Sequence, residues 1–292
     1  MSDKLFFRGH TACAGCPIPI AIRPILNAAG KNTIISNATS CSEIVSSQYP
    51  HTAWGVPYIH VAFECAAAVA SGIEAACKRL GREANVIAIA GDGGTADIGL
   101  QALSGMVDRG DNVLYICYDN ECYDNTGIQR SSETPYGAWT TTTPAGKKSS
   151  GNKTFKKPIA EMMAVQGAVY VATASIGYPR DIEAKVKKAL NIKGPKFIHI
   201  HAPCPLAWRF ESARTPELAK LAVETGMWVL YEIENGKLTI TNRPEKFRPV
   251  KDYIKAQGRF KHVTEKEIAK MQKRVDDDWN KYKELDRTRV RI

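Results

Sequence analysis

VIAIAGDGG, at residues 86–94, passes from a continuous apolar run into a short glycine-rich polar segment. An apolar run without polar alternation is typical of a strand that is buried on both faces, as in a parallel sheet. Residues 96–107 then predict a helix, and residues 113–117 form a second apolar run. The apolar face of that helix is formed by Ile98, Ala102, Leu103 and Met106. The order of strand, helix and strand predicts a βαβ unit.

The same alternation continues on both sides of this unit. After it come a predicted strand at 168–172, a helix at 179–190 and a strand at 196–201. Before it come a helix at 18–29, a short strand at 33–36 and a long alanine-rich helix at 60–80. Helices that alternate with buried strands cover both faces of a sheet. We therefore predict an α/β fold with a doubly wound, mostly parallel sheet.

The C-terminal part of the chain has a different pattern. Two short strands, at 228–233 and 237–241, flank an Asn-Gly pair that is typical of a tight hairpin turn. Residues 265–285 then predict a charged surface helix. We divide the chain into a main α/β domain at 1–215 and a C-terminal arm of hairpin and helix at 216–292, packed on the same domain or on another chain.

The composition is that of an ordinary globular protein, with 292 residues, 44% hydrophobic and 24% charged. No stretch approaches the roughly 20 apolar residues of a spanning helix, and the first residues show no secretion signal. We therefore expect a cytoplasmic protein without a membrane partner. The net charge of +10 predicts a solvated basic surface rather than a nucleic-acid interface, because no basic motif is interleaved with aromatic residues.

Polar residues follow two of the predicted strands at the points where they end. Asp92 comes directly after the first apolar run, and the backbone N–H groups of Gly93 and Gly94 lie at the start of a helix, where anions bind. Asn120 follows the neighbouring strand and should emerge at the same edge of the sheet. Two oxygen ligands at one edge predict a Mg²⁺ site for a bound phosphate. Ordinary turns at both places are the alternative.

Four cysteines have the spacing of a metal site. Cys13 and Cys16 form a Cys-x-x-Cys motif, Cys41 follows after a helix and a strand, and Cys204 lies between two prolines after the strand at 196–201. Thiolates in this pattern suit zinc, a redox dithiol or an iron–sulfur cluster. The other cysteines in apolar elements, Cys65, Cys77 and Cys117, are expected to be small core side chains.

These motifs resemble those of known enzymes. The Gly91-Asp92-Gly93 motif, with Asn120 and Asn125 after the next strand, looks like the thiamine diphosphate motif of enzymes that decarboxylate 2-oxoacids. Residues 119–129 and 134–139 resemble the β subunit of the multi-subunit pyruvate:ferredoxin oxidoreductase family. The similarity covers most of residues 8–210.

The resemblance implies roles for both groups of residues. Asp92, Asn120 and the backbone carbonyl of Cys122 would bind Mg²⁺, and Asn125 would be the catalytic residue that faces the thiazolium and the substrate. The glycines Gly91, Gly93 and Gly94, with Cys41, would also contact the cofactor. The ligands of a [4Fe-4S] cluster would be Cys13, Cys16, Cys41 and Cys204.

The resemblance also implies an activity and partners. The family oxidatively decarboxylates 2-oxoacids, and the substrate expected here is pyruvate, which with coenzyme A gives acetyl-CoA and CO₂. The electrons pass through the cluster to ferredoxin. An α subunit would supply the pyrimidine-binding and substrate domain, with further γ and ferredoxin-like δ subunits. Other 2-oxoacids (2-oxoisovalerate, 2-oxoglutarate or oxalate), a nonoxidative thiamine diphosphate enzyme and a zinc-binding interaction module remain alternatives.

Overall fold

A computed structural model describes residues 4–147 and 149–288. Its central feature is an eight-stranded sheet of order β10-β9-β7-β8-β4-β3-β1-β2. The strands are β1 (Thr33–Ala38), β2 (Tyr58–Val61), β3 (Asn85–Gly91), β4 (Leu114–Asp119), β5 (Ala145–Gly146), β6 (Ser149–Ser150), β7 (Tyr170–Ser175), β8 (Lys196–His201), β9 (Leu230–Glu234) and β10 (Lys237–Asn242). Neighbouring strands from β7 to β2 are parallel, and β9 and β10 are antiparallel. The predicted α/β fold with a mostly parallel sheet is confirmed.

Helices cover both faces of the sheet. They are α1 (Pro17–Ala29), α2 (Cys41–Ile44), α3 (Ala66–Arg79), α4 (Leu100–Asp108), α5 (Ile159–Gln166), α6 (Pro179–Leu190), α7 (Pro205–Trp208), α8 (Thr215–Glu224), α9 (Val250–Lys255) and α10 (Glu265–Leu285). One core joins α1 and α6 to one face, and a second core joins α3, α4 and α5 to the other. This double covering agrees with the continuous apolar runs of the strands, which are buried on both sides.

Several helix boundaries follow from local sequence signals. Helix α1 begins with Pro17 and ends at Ala29, and the φ of 74° at the following Gly30 lies in the left-handed region that glycine adopts readily. Helix α10 begins with a capping box, in which the Thr264 side chain accepts from the Glu267 N–H and the Glu267 carboxylate accepts from the Thr264 N–H. The predicted bounds of α6, β8 and α10 are confirmed, because strong local signals mark their ends.

The predicted helix at 60–80 is wrong over its first residues. Residues Tyr58–Val61 form the edge strand β2, which pairs in parallel with β1, and α3 begins at Ala66. Aromatic and β-branched residues favour this extended conformation, whereas the alanine-rich part begins after Cys65. The predicted strand at 168–172 is shifted as well, because β7 begins at Tyr170.

The predicted helix at 96–107 is interrupted. A π-helical turn spans Gly93–Asp97, and α4 begins at Leu100. The extra residue in this turn moves Ile98 off the buried face, and its side chain is 49% exposed. Gly99 allows the interruption, because a Cβ at this position would lie 2.0 Å from the carbonyl oxygen of Gly94.

The C-terminal hairpin extends the central sheet. Strand β9 pairs antiparallel with β7, and β10 pairs with β9. Helices α8, α9 and α10 share a third core with Trp208 and Trp228. The division at residue 215 remains a prediction. The expectation about the N-terminal signal falls partly on residues 1–3, which lie outside the described residues, and none of the described helices is long and apolar enough to cross a bilayer.

Candidate active site at the carboxyl edge of the sheet

Four adjacent parallel strands bring the predicted site residues to one edge. In the order β8, β4, β3 and β1, the residues that follow or closely follow each strand are Cys204, Asn120, Asp92 and Cys41. The carboxyl ends of parallel strands lie at the same edge, where open α/β sheets bind their ligands. The fold therefore places the predicted oxygen ligands between two of the predicted cysteine ligands.

A cavity of about 230 Å³ lies at this edge. It is lined by all of the residues predicted to contact the cofactor: Cys41, Gly91, Asp92, Gly93, Gly94, Asn120, Cys122 and Asn125. Its aromatic walls come from Phe63, Tyr118 and Tyr123. The roles of the individual residues remain predictions, but the structure brings them into one space.

Asp92 has the surroundings of a cation ligand. Its side chain is 1% exposed, and its carboxylate accepts a hydrogen bond from the Ser131 hydroxyl. Burial and the nearby negative charge of Asp119 raise the pKa of Asp92 well above its ordinary value. A bound cation would stabilise the charged carboxylate, so this position fits the predicted Mg²⁺.

The loop that follows β4 is held by hydrogen bonds from outside it. The Trp208 indole donates to the carbonyl oxygen of Asn120 at 2.8 Å, and the Thr134 hydroxyl donates to that of Glu121 at 2.7 Å. The Tyr123 hydroxyl donates to the Asp97 carboxylate at 2.7 Å. The protein thus fixes the backbone that carries the Asn120 amide and the Cys122 carbonyl.

The glycines at the start of the π-helical turn are also required by packing. A Cβ at Gly93 would lie 2.1 Å from the ring of Tyr123, and a Cβ at Gly94 would lie 3.1 Å from the ring of Phe63. Glycine therefore serves two purposes here: it leaves N–H groups accessible to an anion and makes room for the aromatic walls.

The four predicted cluster ligands form a chain of neighbours. The thiols of Cys13 and Cys16, of Cys16 and Cys41, and of Cys41 and Cys204 are close enough to interact electrostatically. Cys13 is exposed, and the other three are partly buried. The structure therefore brings the four residues together from the N-terminal segment and from two strand ends.

Two opposing effects act on the three partly buried thiols: backbone N–H groups favour the anionic sulfur, and burial, the larger effect, disfavours it. Backbone N–H groups of Ile18, Asn125 and Ala207 point at the sulfurs of Cys16, Cys41 and Cys204 respectively. Burial raises the pKa of the Cys16 thiol to about 11, and burial also raises the pKa values of the Cys41 and Cys204 thiols. Metal coordination deprotonates a thiol outright, so this donor set fits the predicted cluster.

The Cys-x-x-Cys loop is anchored to the start of α8. Gly15 has a φ of 72°, and a Cβ there would lie 2.2 Å from the carbonyl oxygen of Ser212. The Thr215 hydroxyl donates to the carbonyl oxygen of Gly15 at 2.7 Å. Only glycine combines this backbone conformation with so close an approach.

Asp124 lies between the cavity and the cysteines and was not predicted from the sequence. Its Oδ1 accepts from the Cys122 thiol at 2.5 Å, and its carboxylate lies near the Cys204 thiol. Burial raises the pKa of Asp124 to about 6. Its position inside the Asn120 to Asn125 segment was the one signal that could have identified it.

Buried charges beneath the loop were also missed. Lys156 forms ion pairs of 2.7 Å with Asp119 and with Glu121. Burial alone would raise the pKa of Asp119, but Lys156 and His199 outweigh that effect and lower it. Asp119, His199 and Glu133 each offer a ligand atom within 4.8 Å of the others, but Lys156 already neutralises Asp119.

Comparisons with known proteins identify the family. The family described as thiamine pyrophosphate enzyme, C-terminal TPP binding domain, matches residues 38–200. Pyruvate synthase subunit PorB of Methanothermobacter marburgensis is 56% identical over 275 residues, covering 94% of this chain and 96% of that subunit. The subunit of the same name from Methanocaldococcus jannaschii is 54% identical, covering 94% and 95%. The chain belongs to the 2-oxoacid:ferredoxin oxidoreductase β-subunit family.

Other members of this β-subunit family carry a different name. Ketoisovalerate oxidoreductase subunit VorB of Pyrococcus abyssi is 48% identical over 291 residues, covering 97% of this chain and 94% of that subunit. Among solved structures, a chain of 2-oxoglutarate:ferredoxin oxidoreductase from Magnetococcus marinus matches with a TM-score of 0.57 and 24% identity. That match covers 72% of this chain and 76% of the other, and it supports the fold.

Proposed function

We propose that this chain is the thiamine-diphosphate-binding β subunit of a pyruvate:ferredoxin oxidoreductase, which converts pyruvate and coenzyme A to acetyl-CoA and CO₂. The observation that carries the proposal is the convergence of Asp92, Asn120, Cys41 and Cys204 at one edge of the sheet. An enzyme that binds a diphosphate through a cation needs oxygen ligands for that cation. An enzyme that also passes electrons onward needs cysteines that can hold an iron–sulfur cluster nearby.

Pyruvate is the substrate that the relatives favour. The two PorB subunits named pyruvate synthase are 56% and 54% identical to this chain, and the VorB subunit named ketoisovalerate oxidoreductase is 48% identical. Branched 2-oxoacids and 2-oxoglutarate are the competing substrates within the same family.

The cation site would be formed by three groups. The Asp92 carboxylate, the Asn120 amide oxygen and the Cys122 backbone carbonyl would hold Mg²⁺, which prefers hard oxygen ligands and bound phosphate. The backbone N–H groups of Gly93 and Gly94 would bind the diphosphate oxygens at the start of the π-helical turn. When bound, thiamine diphosphate supplies the chemistry that separates the carboxylate of a 2-oxoacid from its carbonyl carbon.

The cluster site would be formed by Cys13, Cys16, Cys41 and Cys204. Backbone N–H groups already point at three of these sulfurs, and such bonds stabilise an anionic cluster. Cys41 also lines the cofactor cavity, so the two sites would share a wall. Such a shared wall would suit the transfer of electrons from the cavity to the cluster.

Asn125 would act on the substrate. It lines the cavity, and its backbone N–H points at the Cys41 sulfur. A side-chain amide held at this position can donate a hydrogen bond to an oxygen that gains negative charge during decarboxylation.

The proposed enzyme requires other chains. An α subunit would supply the pyrimidine-binding and substrate domain, and γ and ferredoxin-like δ subunits would complete the complex, with ferredoxin as the electron acceptor. A cytoplasmic location is part of the same proposal. The second candidate, a nonoxidative thiamine diphosphate enzyme, would leave the convergence of the four cysteines without a purpose.

The deciding experiment is anaerobic purification of the chain with its partner subunits, followed by a panel of 2-oxoacids with coenzyme A and ferredoxin. We expect pyruvate to give the highest kcat/KM, with thiamine diphosphate and four irons per β chain from the proposed site. Turnover of pyruvate without reduction of ferredoxin would favour the nonoxidative enzyme. A higher kcat/KM for a branched 2-oxoacid would overturn the choice of substrate.

A further inference from the structure

Glu121 has an unusual conformation between two predicted Mg²⁺ ligands. Its φ is 65°, in the left-handed region that side chains other than glycine seldom adopt, and its side chain is 3% exposed. Asn120 precedes it and Cys122 follows it. This conformation turns the chain between the two ligands, so whatever holds Glu121 also sets their positions.

Arg259, far along the chain, contacts this turn. Its Nη2 forms an ion pair with the Glu121 carboxylate, and its guanidinium lies 3.7 Å from the ring centroid of Trp208. The indole of Trp208 in turn donates to the carbonyl oxygen of Asn120 at 2.8 Å. Arg259, which is 2% exposed, therefore contacts Glu121 directly and is linked to Asn120 through the Trp208 ring.

The remaining groups around Glu121 are also paired. Its second carboxylate oxygen lies 2.7 Å from Lys156 Nζ, and its backbone N–H donates to the Asp119 carboxylate at 2.9 Å. Arg259 is itself oriented by Gln257, whose side-chain oxygen accepts from Arg259 Nε at 2.9 Å. Two cations on two carboxylate oxygens define the direction of the Glu121 side chain and hence the turn.

We propose that Arg259 is a positioning residue for the Mg²⁺ ligands, acting through its ion pair with Glu121 and its stacking on Trp208. The proposal rests on the function proposed above. It makes the segment Gly258–Phe260 part of the support of the cofactor site, although this segment lies outside the region that carries the motifs. Residues that orient metal ligands in this way commonly change metal affinity by about 10- to 100-fold when they are replaced.

The test measures Mg²⁺ affinity rather than turnover alone. The anaerobically purified complex, at a fixed concentration of thiamine diphosphate, is titrated with Mg²⁺, and cofactor binding is followed by calorimetry. We expect Arg259→Met to raise the Mg²⁺ dissociation constant by about 10- to 100-fold. Saturating Mg²⁺ should restore cofactor binding, and the four-iron signal should persist, because the change acts on ligand geometry and not on the fold.

Two further variants test whether the specific contacts of Arg259 cause the loss of Mg²⁺ affinity. Arg259→Lys keeps the charge but loses the planar fork, so it should recover part of the affinity. Arg248→Met removes another arginine of the same region, which forms exposed ion pairs with Asp252 and Glu224, and it should leave the Mg²⁺ affinity unchanged. A loss in Arg259→Lys as large as that in Arg259→Met, or an equal loss in Arg248→Met, would overturn the proposal.

A double variant tests the same proposal if Arg259→Met does not fold. Combining Glu121→Gln with Arg259→Met removes both partners and leaves neither charge of the pair unpaired, so this chain should fold. Its Mg²⁺ affinity should be reduced about as much as that of the single variant, because the two residues act as a unit. Unchanged Mg²⁺ affinity in the double variant would overturn the positioning role.

The wild-type complex separates the two proposals. If the wild type itself binds no thiamine diphosphate in the presence of Mg²⁺, the proposed function fails. If the wild type binds it and Arg259→Met binds Mg²⁺ equally well, the inference about Arg259 alone fails.

Discussion

The loop after β4 and the cysteine region lie side by side at one edge of the sheet, but the protein holds them differently. The loop is fixed by side chains from elsewhere, including the Trp208 indole on Asn120 and the Thr134 hydroxyl on Glu121. The cysteines are brought together by the fold, and the sulfurs of Cys16, Cys41 and Cys204 face backbone N–H groups. The backbone of the proposed cation ligands is therefore fixed without a cation, whereas burial keeps the thiols of Cys16, Cys41 and Cys204 neutral unless a metal binds them.

The largest expected effect is at the cation site. We expect Asp92→Ala to abolish Mg²⁺-dependent binding of thiamine diphosphate, because the diphosphate charge then loses its anionic metal ligand. Asn120→Ala should cause a smaller loss, since a neutral amide is a weaker ligand. Calorimetry measures both. The four-iron signal should survive in both variants, and cofactor affinity that does not change in Asp92→Ala would contradict the assignment of the motif.

The complementary change is at the cysteines. Cys204→Ala should remove the four-iron signal from this chain, because the cluster loses one thiolate ligand. Electron paramagnetic resonance on the reduced complex measures this, and calorimetry should find cofactor affinity close to that of the wild type. A normal four-iron signal in single alanine variants of Cys13, Cys16, Cys41 and Cys204 would contradict the cluster site.

Asn125 lies where the two regions meet, and its replacement should separate binding from chemistry. Asn125→Ala is expected to keep cofactor and cluster but to slow turnover by about 10²-fold or more, the usual scale for losing one donor to developing charge. Thiamine diphosphate affinity and the single-turnover rate are measured on the same preparation. Weakened affinity with an unchanged rate at saturation would identify Asn125 as a turn-forming residue instead.

The smallest effect is expected at a cysteine inside the core. Cys117 in β4 is fully buried and is predicted to be a packing residue, so Cys117→Ala should lower the free energy of unfolding by about 1 kcal/mol. Iron content and cofactor affinity should equal those of the wild type. Loss of iron in this variant would show that the division between structural and ligand cysteines is wrong.

Local sequence patterns predicted the fold well where a distinct local signal marks the end of a helix or strand. The bounds of α6 and α10 follow from Pro179 in the first turn of α6 and from the capping box at the start of α10, and β8 matches the strand predicted after α6. The pattern failed at the start of α3, where pairing with a neighbouring strand decided the conformation. It failed again at Ile98, because the π-helical turn depends on close packing at Gly93 and Gly99.

The candidate site divides in the same way. Asp92, Asn120 and the cysteines could be found from the sequence, because each stands at a recognisable place after a strand or in a short motif. Asp124, Lys156 and Arg259 could not, since their meaning comes from the groups that they contact across the fold.

The order of strands and helices, and with it the edge at which the polar residues emerge, can be read from the sequence. Hydrophobic periodicity and turn chemistry act over a few residues, so they are written along the chain. The pairing of β9 with β7 and the contact of Arg259 with Glu121 become visible only in the folded chain, because they join residues about 60 to 140 positions apart. Such pairings depend on which surfaces are left to be buried once the main sheet has formed, and no local pattern contains that information.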